Sequence, residues 1–429
     1  MRRRYAGIKN GIIKIISDYN FDNQDLMVVK IPHELDLINS SEIISNYKFK
    51  NNKFVLPNEI KDIKDLKIAL VSNWKMTCGI STYAESLFAE LIKHLNNYKL
   101  FVEKNEIVGD FYTAGNQVIP KDNIIACWNR GQSLKELISE IKKYDPDIVW
   151  IQHEFGLWSN ACYWLSMMSQ LSEYRIIVTM HSVFHHKDKT ICEAAIPEIV
   201  VHLEGAYKVL KEEKGISGDV YVIPHGCYPC TNKEKLWNFY RTKHTIIQAG
   251  FLFRYKGWEE SIKAIAILKE KYPDVFFTGL CSESDFSKLE HEIYFNELMD
   301  LIKTLNVEEN VALIRGYQSD QTWDSYFRTN RVALFPYISH PGHEVFGASG
   351  AARLAMSKNI PVLSSSVNHF SDLPTIKADT PEQIACEISK LFDDYKLINK
   401  QLEKQNAFLQ KHSWEQIALQ YVKLFEGKV

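Results

Sequence analysis

The sequence predicts an α/β protein built on doubly wound parallel sheets, and three observations carry that reading. Near-continuous apolar runs of strand length recur from about residue 66 onward. Stretches with apolar residues at helical spacing separate them, among them AESLFAELIKHL (84–95) and EESIKAIAILKEKY (259–272). The runs also fall into two series on either side of a polar stretch from Cys230 to His244. Strands that are apolar on both faces belong to parallel sheets covered by helices above and below.

In chain order, residues 1–65 fit this pattern least and read as an N-terminal extension of unknown role. In it, GIIKIIS and LMVVKI read as strands pairing across the polar YNFDNQD, and KFKNNKFVLP reads as a tether. A first domain is expected over 66–229, with strands KIALVS (67–72), DIVWIQ (147–152), RIIVTM (175–180) and VYVIP (220–224). Residues 230–244 read as an interdomain linker. A second domain is expected over 245–410, with strands TIIQAG (245–250), VFFTGL (275–280), NVALIRG (310–316), RVALFPY (331–337) and IPVLSS (360–365). The amphipathic pattern from Pro381 ends in SWEQIALQYVKLF, and residues 411–429 are expected as a helix packing back toward the first domain.

At 429 residues the chain is long enough for more than one core. An apolar fraction of 45% with 24% charged residues is that of an ordinary globular protein. The formal net charge of −2 gives no electrostatic reason to expect nucleic acid. The basic MRRR is followed by no apolar stretch of signal-peptide type, and no run approaches the ~20 apolar residues of a membrane span. Eight scattered cysteines read as reduced thiols of a cytoplasmic protein. Cys227 and Cys230 form CYPC, but no second pair lies at zinc-ribbon spacing, so they read as loop thiols. The DxD at Asp145 and Asp147 precedes a buried strand and reads as a loop cap rather than a metal site.

In open α/β sheets, ligands bind beyond the carboxyl ends of the strands. Gly79 follows the first strand in a turn before a helix; His153, Glu154 and Gly156 follow the second; His181 and Ser182 the third; His225 and Gly226 the fourth. In the second series, TIIQAG leads to Arg254 and Lys256, and RVALFPY leads to the densest motif, HPGHEVFGASGAARLAMSKNIPV (340–362). There an acid, Glu344, precedes a small-residue run that opens a helix. Small residues let backbone amides approach a ligand, and a helix N-terminus favours an anion. An acid beside such a cradle suits a polyol joined to phosphate, that is, a nucleotide sugar. A dehydrogenase is disfavoured because no G-x-G-x-x-G follows a strand.

Over about residues 66–428 the chain resembles the retaining GT-B glycosyltransferases of family 4, the glycogen-synthase-like group. The resemblance rests on W-x4-GIS near the first strand, QHE and TMH after later ones, IPHG closing the first domain, AG-x5-KG opening the second, and E-x-FG with AM-x4-PV. It implies two Rossmann-like domains facing each other across a cleft. It further implies that Gly79 lies against the donor diphosphate, His181 near the donor sugar and reaction centre, Lys256 on the diphosphate, and Glu344 on sugar hydroxyls. Phe346 and Gly347 would supply backbone groups. His153 and Glu154 are candidates for orienting an acceptor hydroxyl.

The chain departs from the family pattern at Ala352, eight residues after Glu344, where a second glutamate would bind the ribose, and the spacing from EVFG to AM is longer. Ser349 and Gly350 are candidates to meet phosphate or ribose instead. Phe251 replaces an arginine directly after the strand glycine, and Arg254 is the candidate substitute. The expected activity is retaining transfer of a hexose from an NDP-sugar donor to a carbohydrate or other hydroxyl acceptor. No metal or other cofactor is expected, and neither is a nucleic-acid partner. A lipid-linked acceptor would bring the protein to the inner membrane face. The alternatives are a catalytically altered sugar-nucleotide-binding subunit or scaffold and a GT-B nucleotide-sugar epimerase.

Overall fold

The computed structural model describes residues 5–9, 12–17, 26–31, 40, 43–44, 48–50, 53–55, 62–104, 110–187, 189–230, 243–283, 287–316, 318, 320–339 and 344–428. Near the N-terminus, strands β1 (Tyr5–Lys9), β2 (Ile12–Ser17), β3 (Met27–Lys30), β4 (Lys48–Lys50) and β5 (Lys53–Val55) form a separate sheet in the order β3-β1-β2-β4-β5. Two sequence expectations are corrected here. GIIKIIS and LMVVKI do form strands, but β1 lies between them, because YAGIK turns Ala6 and Ile8 into a small core with Ile13, Ile31 and Ile43. KFKNNKFVLP is not a tether: β4 and β5 pair antiparallel through it.

The first large sheet contains β6 (Lys67–Ser72), β7 (Asn97–Glu103), β10 (Ile124–Trp128), β11 (Ile148–His153), β12 (Arg175–Met180), β14 (Glu198–Val201) and β15 (Asp219–Val222). It is parallel, ordered β10-β7-β6-β11-β12-β14-β15. A small hairpin, β8 (Thr113–Ala114) with β9 (Gln117–Val118), and a short strand β13 (Val183–Phe184) lie outside it. The apolar pattern of the sequence does not mark β7, β10 or β14. β14 has only four residues, and β7 and β10 each carry two less buried residues, Asn97 and Lys99 in the one and Ile125 and Ala126 in the other, which weakens the continuous apolar signal.

Side chains alternate across this sheet. Val71, Val149, Ile151 and Val178 enter one core, and Leu70, Ile148, Trp150 and Ile177 enter the other. The second core is roofed by helix Gly79–Leu91 and by the last helix of the chain, Trp414–Phe425, whose Ile417, Tyr421 and Phe425 are buried in it.

The second large sheet contains β16 (Thr245–Phe251), β17 (Phe276–Ser282), β18 (Val311–Arg315), β19 (Val332–Phe335), β21 (Val362–Ser364) and β22 (Ile376–Lys377), with the short β20 (Val345–Phe346) outside it. Its order is β18-β17-β16-β19-β21-β22, again parallel. In both sheets the first strand sits inside, with its successor on one side and a later strand on the other. This Rossmann-like order opens a crevice at the carboxyl ends of β6 and β11 and of β16 and β19. Helices Pro381–Asp393 and Tyr395–Lys411 are capped by Thr380 and Asp394.

Contacts between the domains among the described residues include two backbone pairings. β13 pairs antiparallel with β20, Val183 opposite Phe346 and Phe184 opposite Val345. The chain also crosses between domains twice side by side: the Cys227 amide donates to the His412 carbonyl at 2.8 Å, and the Trp414 amide to the Cys227 carbonyl at 3.1 Å. Most of the expected linker, residues 231–242, lies outside the described residues. Among the described residues no helix is long and apolar enough to cross a membrane.

Candidate active site between two sheets

On the second domain, β16 runs into a short turn, Arg254–Lys256, and Gly257 then opens helix Trp258–Lys269. Gly257 adopts φ +69°, and a Cβ there would stand 1.8 Å from the Pro336 carbonyl oxygen, so only glycine fits. This contact pins the turn to the end of β19 and sets Lys256 beside Tyr337. Lys256 Nζ donates to the Tyr337 hydroxyl at 2.7 Å and lies 4.0 Å from the ring centroid. The same hydroxyl is hydrogen-bonded to Ser349 Oγ at 3.2 Å. Ser349 in turn caps helix Gly350–Ser357, accepting from the Ala352 amide at 3.4 Å. An ammonium, a phenol and a serine cap therefore meet at one helix N-terminus, where Gly350 is exposed. His369 forms a further wall: its carbonyl accepts from the Ser349 amide at 3.3 Å, and its ring stacks on Tyr255.

Arg254 is engaged elsewhere. Its guanidinium makes a two-pronged pair with Glu297, at 2.6 and 2.8 Å, and lies over the Tyr294 ring. It borders a surface cavity of about 460 Å³ together with Ser287, Lys288, Leu289, Glu290 and Ile293. Phe251 is half-buried at the end of β16. Ala352 is fully buried in the core that holds Phe335 and Met356, so no side chain at that position faces a ligand.

Glu344 stands half-buried immediately before β20. The next residues grip the first domain. The Phe346 ring fills a notch left by Gly205, where a Cβ would come within 2.6 Å of it. Gly347 is buried against His181, and a Cβ on it would lie 2.8 Å from the His181 carbonyl oxygen. The motif carrying Glu344 is thus clamped onto the segment carrying His181.

On the first domain, the ends of β11 and β12 bring Gln152, His153, Glu154 and His181 together. His181 Nε2 lies 2.9 Å from Gln152 Oε1. Its ring also contacts Tyr83 and His202, at centroid distances of 4.7 and 5.3 Å. Burial, reinforced by His202 and His153, holds its pKa well below the ordinary histidine value. Burial alone lowers His153 to about 3, and its ring packs against Phe155 and Trp164. Both imidazoles are therefore neutral at pH 7. Glu154 accepts a hydrogen bond from Ser182 Oγ, yet burial outweighs that contact and raises its carboxyl above the usual range. Gly79 is the exposed first residue of its helix, with nothing within 4 Å of a Cβ placed on it, and Cys78 makes no side-chain cap. The Met76 and Cys78 amides of the preceding turn are taken by Ser81 Oγ and the Met76 carbonyl, and the first amides of the helix itself are the donors that a ligand could meet.

The sequence reading missed Gln152, Tyr83, His202, Tyr337 and His369. Tyr337 ends the RVALFPY run and Gln152 opens QHE, so strand-end position was the available signal. Asp145 ends helix Lys135–Tyr144 in a left-handed conformation and Asp147 accepts from the Lys67 amide. Among the described residues, no group of three or more His, Cys, Asp or Glu side chains is placed to hold a metal ion.

No family model matches the sequence. No curated protein matches it either. Solved structures do resemble it. An α,α-trehalose-phosphate synthase (UDP-forming) from Burkholderia xenovorans superposes with TM-score 0.65 at 10% identity, covering 84% of this chain and 100% of that one. Sucrose-phosphate synthase from Thermosynechococcus elongatus gives 0.63 at 16% identity, covering 84% and 98%. Anabaena HepE, solved with UDP and glucose, gives 0.62 at 13% identity, covering 84% and 100%. At such identities the likeness speaks for architecture alone, and it agrees with the strand orders: the chain has the GT-B fold, two Rossmann-like domains facing each other across a cleft.

Proposed function

We propose that the protein is a glycosyltransferase that moves a hexose from an NDP-sugar to a hydroxyl acceptor with retention of configuration, in the manner of family 4 and without a catalytic metal. The observation that carries this reading is the Lys256–Tyr337–Ser349 chain at the N-terminus of helix Gly350–Ser357. A fixed cation and a helix N-terminus aimed at one point favour the negative charge that develops on a departing nucleoside diphosphate. The exposed turn at Gly79 would meet the same diphosphate from the other domain. Glu344 would hold sugar hydroxyls, His181 would lie at the reaction centre, and His153 and Glu154 would orient the acceptor. The solved relatives bound to UDP with glucose and to glucose-6-phosphate support a sugar-nucleotide donor and a carbohydrate acceptor.

The test is a thermal-shift and product-release screen against NDP-sugars. The reading expects stabilisation by one donor and slow NDP release that an acceptor accelerates. No stabilisation by any NDP or NDP-sugar would overturn it. Binding without release would instead favour the second reading, a sugar-nucleotide-binding subunit, which the burial of Ala352 supports because it leaves no acid for the ribose.

A further inference from the structure

We propose that Gln152 is a positioning residue that fixes the protonation pattern of His181, committing Nε2–H to itself and leaving Nδ1 as a bare lone pair for a ligand hydroxyl. Gln152 sits in β11, fully buried, one strand away from His181 at the end of β12. Its Oε1 is 2.9 Å from His181 Nε2, a hydrogen-bond distance that a carbonyl-type oxygen makes only with a protonated nitrogen. Because the imidazole is neutral, Nδ1 then carries no hydrogen. Among the described residues nothing hydrogen-bonds to Nδ1, and His181 as a whole residue is half-buried, whereas Gln152 is enclosed. The Tyr83 and His202 rings press on the imidazole at 4.7 and 5.3 Å, which restrains it against turning its other nitrogen to Gln152.

In chemical terms, His181 meets its ligand as an acceptor. It takes an O–H from a sugar hydroxyl and offers no N–H to an oxyanion. This deepens the functional reading given above and rests on it. It separates two tasks across the cleft: Lys256 and helix amides for the diphosphate, and an uncharged acceptor nitrogen for a hydroxyl.

The experiment is ¹⁵N-histidine NMR on the full-length, ligand-free protein, with His181 assigned by the signals that vanish in His181→Ala. The expected result is a pyrrole-type Nε2 and a pyridine-type Nδ1 in wild type, lost or mixed in Gln152→Met at unchanged fold by circular dichroism. With UDP-glucose as probe, Gln152→Met should lower kcat about tenfold, the size of one ordinary hydrogen bond, with KM less affected. Gln152→Glu keeps an acceptor, so it should restore the Nε2–H pattern and move the acid limb of the pH profile upward. A wild-type His181 protonated on Nδ1, or a pattern unchanged in Gln152→Met, overturns the inference. Full activity in His181→Ala would overturn the functional reading, while the NMR pattern would still decide the role of Gln152.

Discussion

Gly347 of the second domain rests on the backbone of His181 in the first, close enough that a Cβ on it would lie 2.8 Å from the His181 carbonyl oxygen. Gly347→Ala would force the β13–β20 pairing apart. The expected outcome is a loss of roughly 1–3 kcal/mol, seen as a lower melting temperature, together with weaker UDP binding by calorimetry. Unchanged melting and binding would show that the two segments separate freely.

Lys256 and Tyr337 form the cation-bearing arm of the cradle. Lys256→Met should weaken NDP binding by about 1.5–3 kcal/mol, the range for hydrogen bonds to charged groups. Tyr337→Phe should cost less, because it keeps the ring under the ammonium and removes only the hydroxyl. Titration calorimetry with UDP and GDP reads both, and equal affinities across the three proteins would remove this arm from the diphosphate site.

Acid should destabilise the fold. Burial lowers His202 to about 4 from an ordinary value of 6.5, and lowers His153 to about 3. Between the ordinary and folded values the unfolded chain binds protons that the folded chain refuses, so stability falls as pH drops from about 6.5 toward 4. Each such histidine contributes a slope of roughly 1.4 kcal/mol per pH unit. Urea unfolding at pH 7, 6 and 5 should show the decline, and His202→Asn should flatten it. A flat profile in the wild type would mean these imidazoles are not held neutral.

Ala352→Glu would not restore a ribose acid. Its side chain would enter the core beside Phe335 and Met356, leaving a carboxyl without solvent at a cost of roughly 3 kcal/mol. Thermal melting measures the loss, and a stable variant with tighter nucleotide binding would contradict the burial of that position.

The strands of both sheets were legible where both faces are covered. In DIVWIQ every residue from Ile148 is buried, so the apolar run is unbroken. Lys99 in β7 and Ile125 and Ala126 in β10 are less buried, and those strands did not stand out. Strand order is set by which helices cross which face, and that is long-range information absent from local periodicity. The same holds for the site. Glu344, His181 and Lys256 belong to short motifs, but Tyr337, Gln152 and His369 gain meaning only through neighbours brought in from other strands. Arg254 shows the converse. It sits two positions before Lys256 in sequence, yet Glu297 on another helix takes its guanidinium.

The last helix also bears on the order in which the chain takes shape during synthesis. The second domain's cores are drawn almost wholly from 246–409, a single uninterrupted stretch. The first domain's second core lacks Trp414, Ile417, Tyr421 and Phe425 until translation has passed residue 425. Of the two domains, the one made first is therefore completed second. Until then Tyr83 and Trp150, whose rings lie against Trp414, Tyr421 and Phe425, stay without that cover, so chaperone demand should fall on nascent chains that end before Trp414.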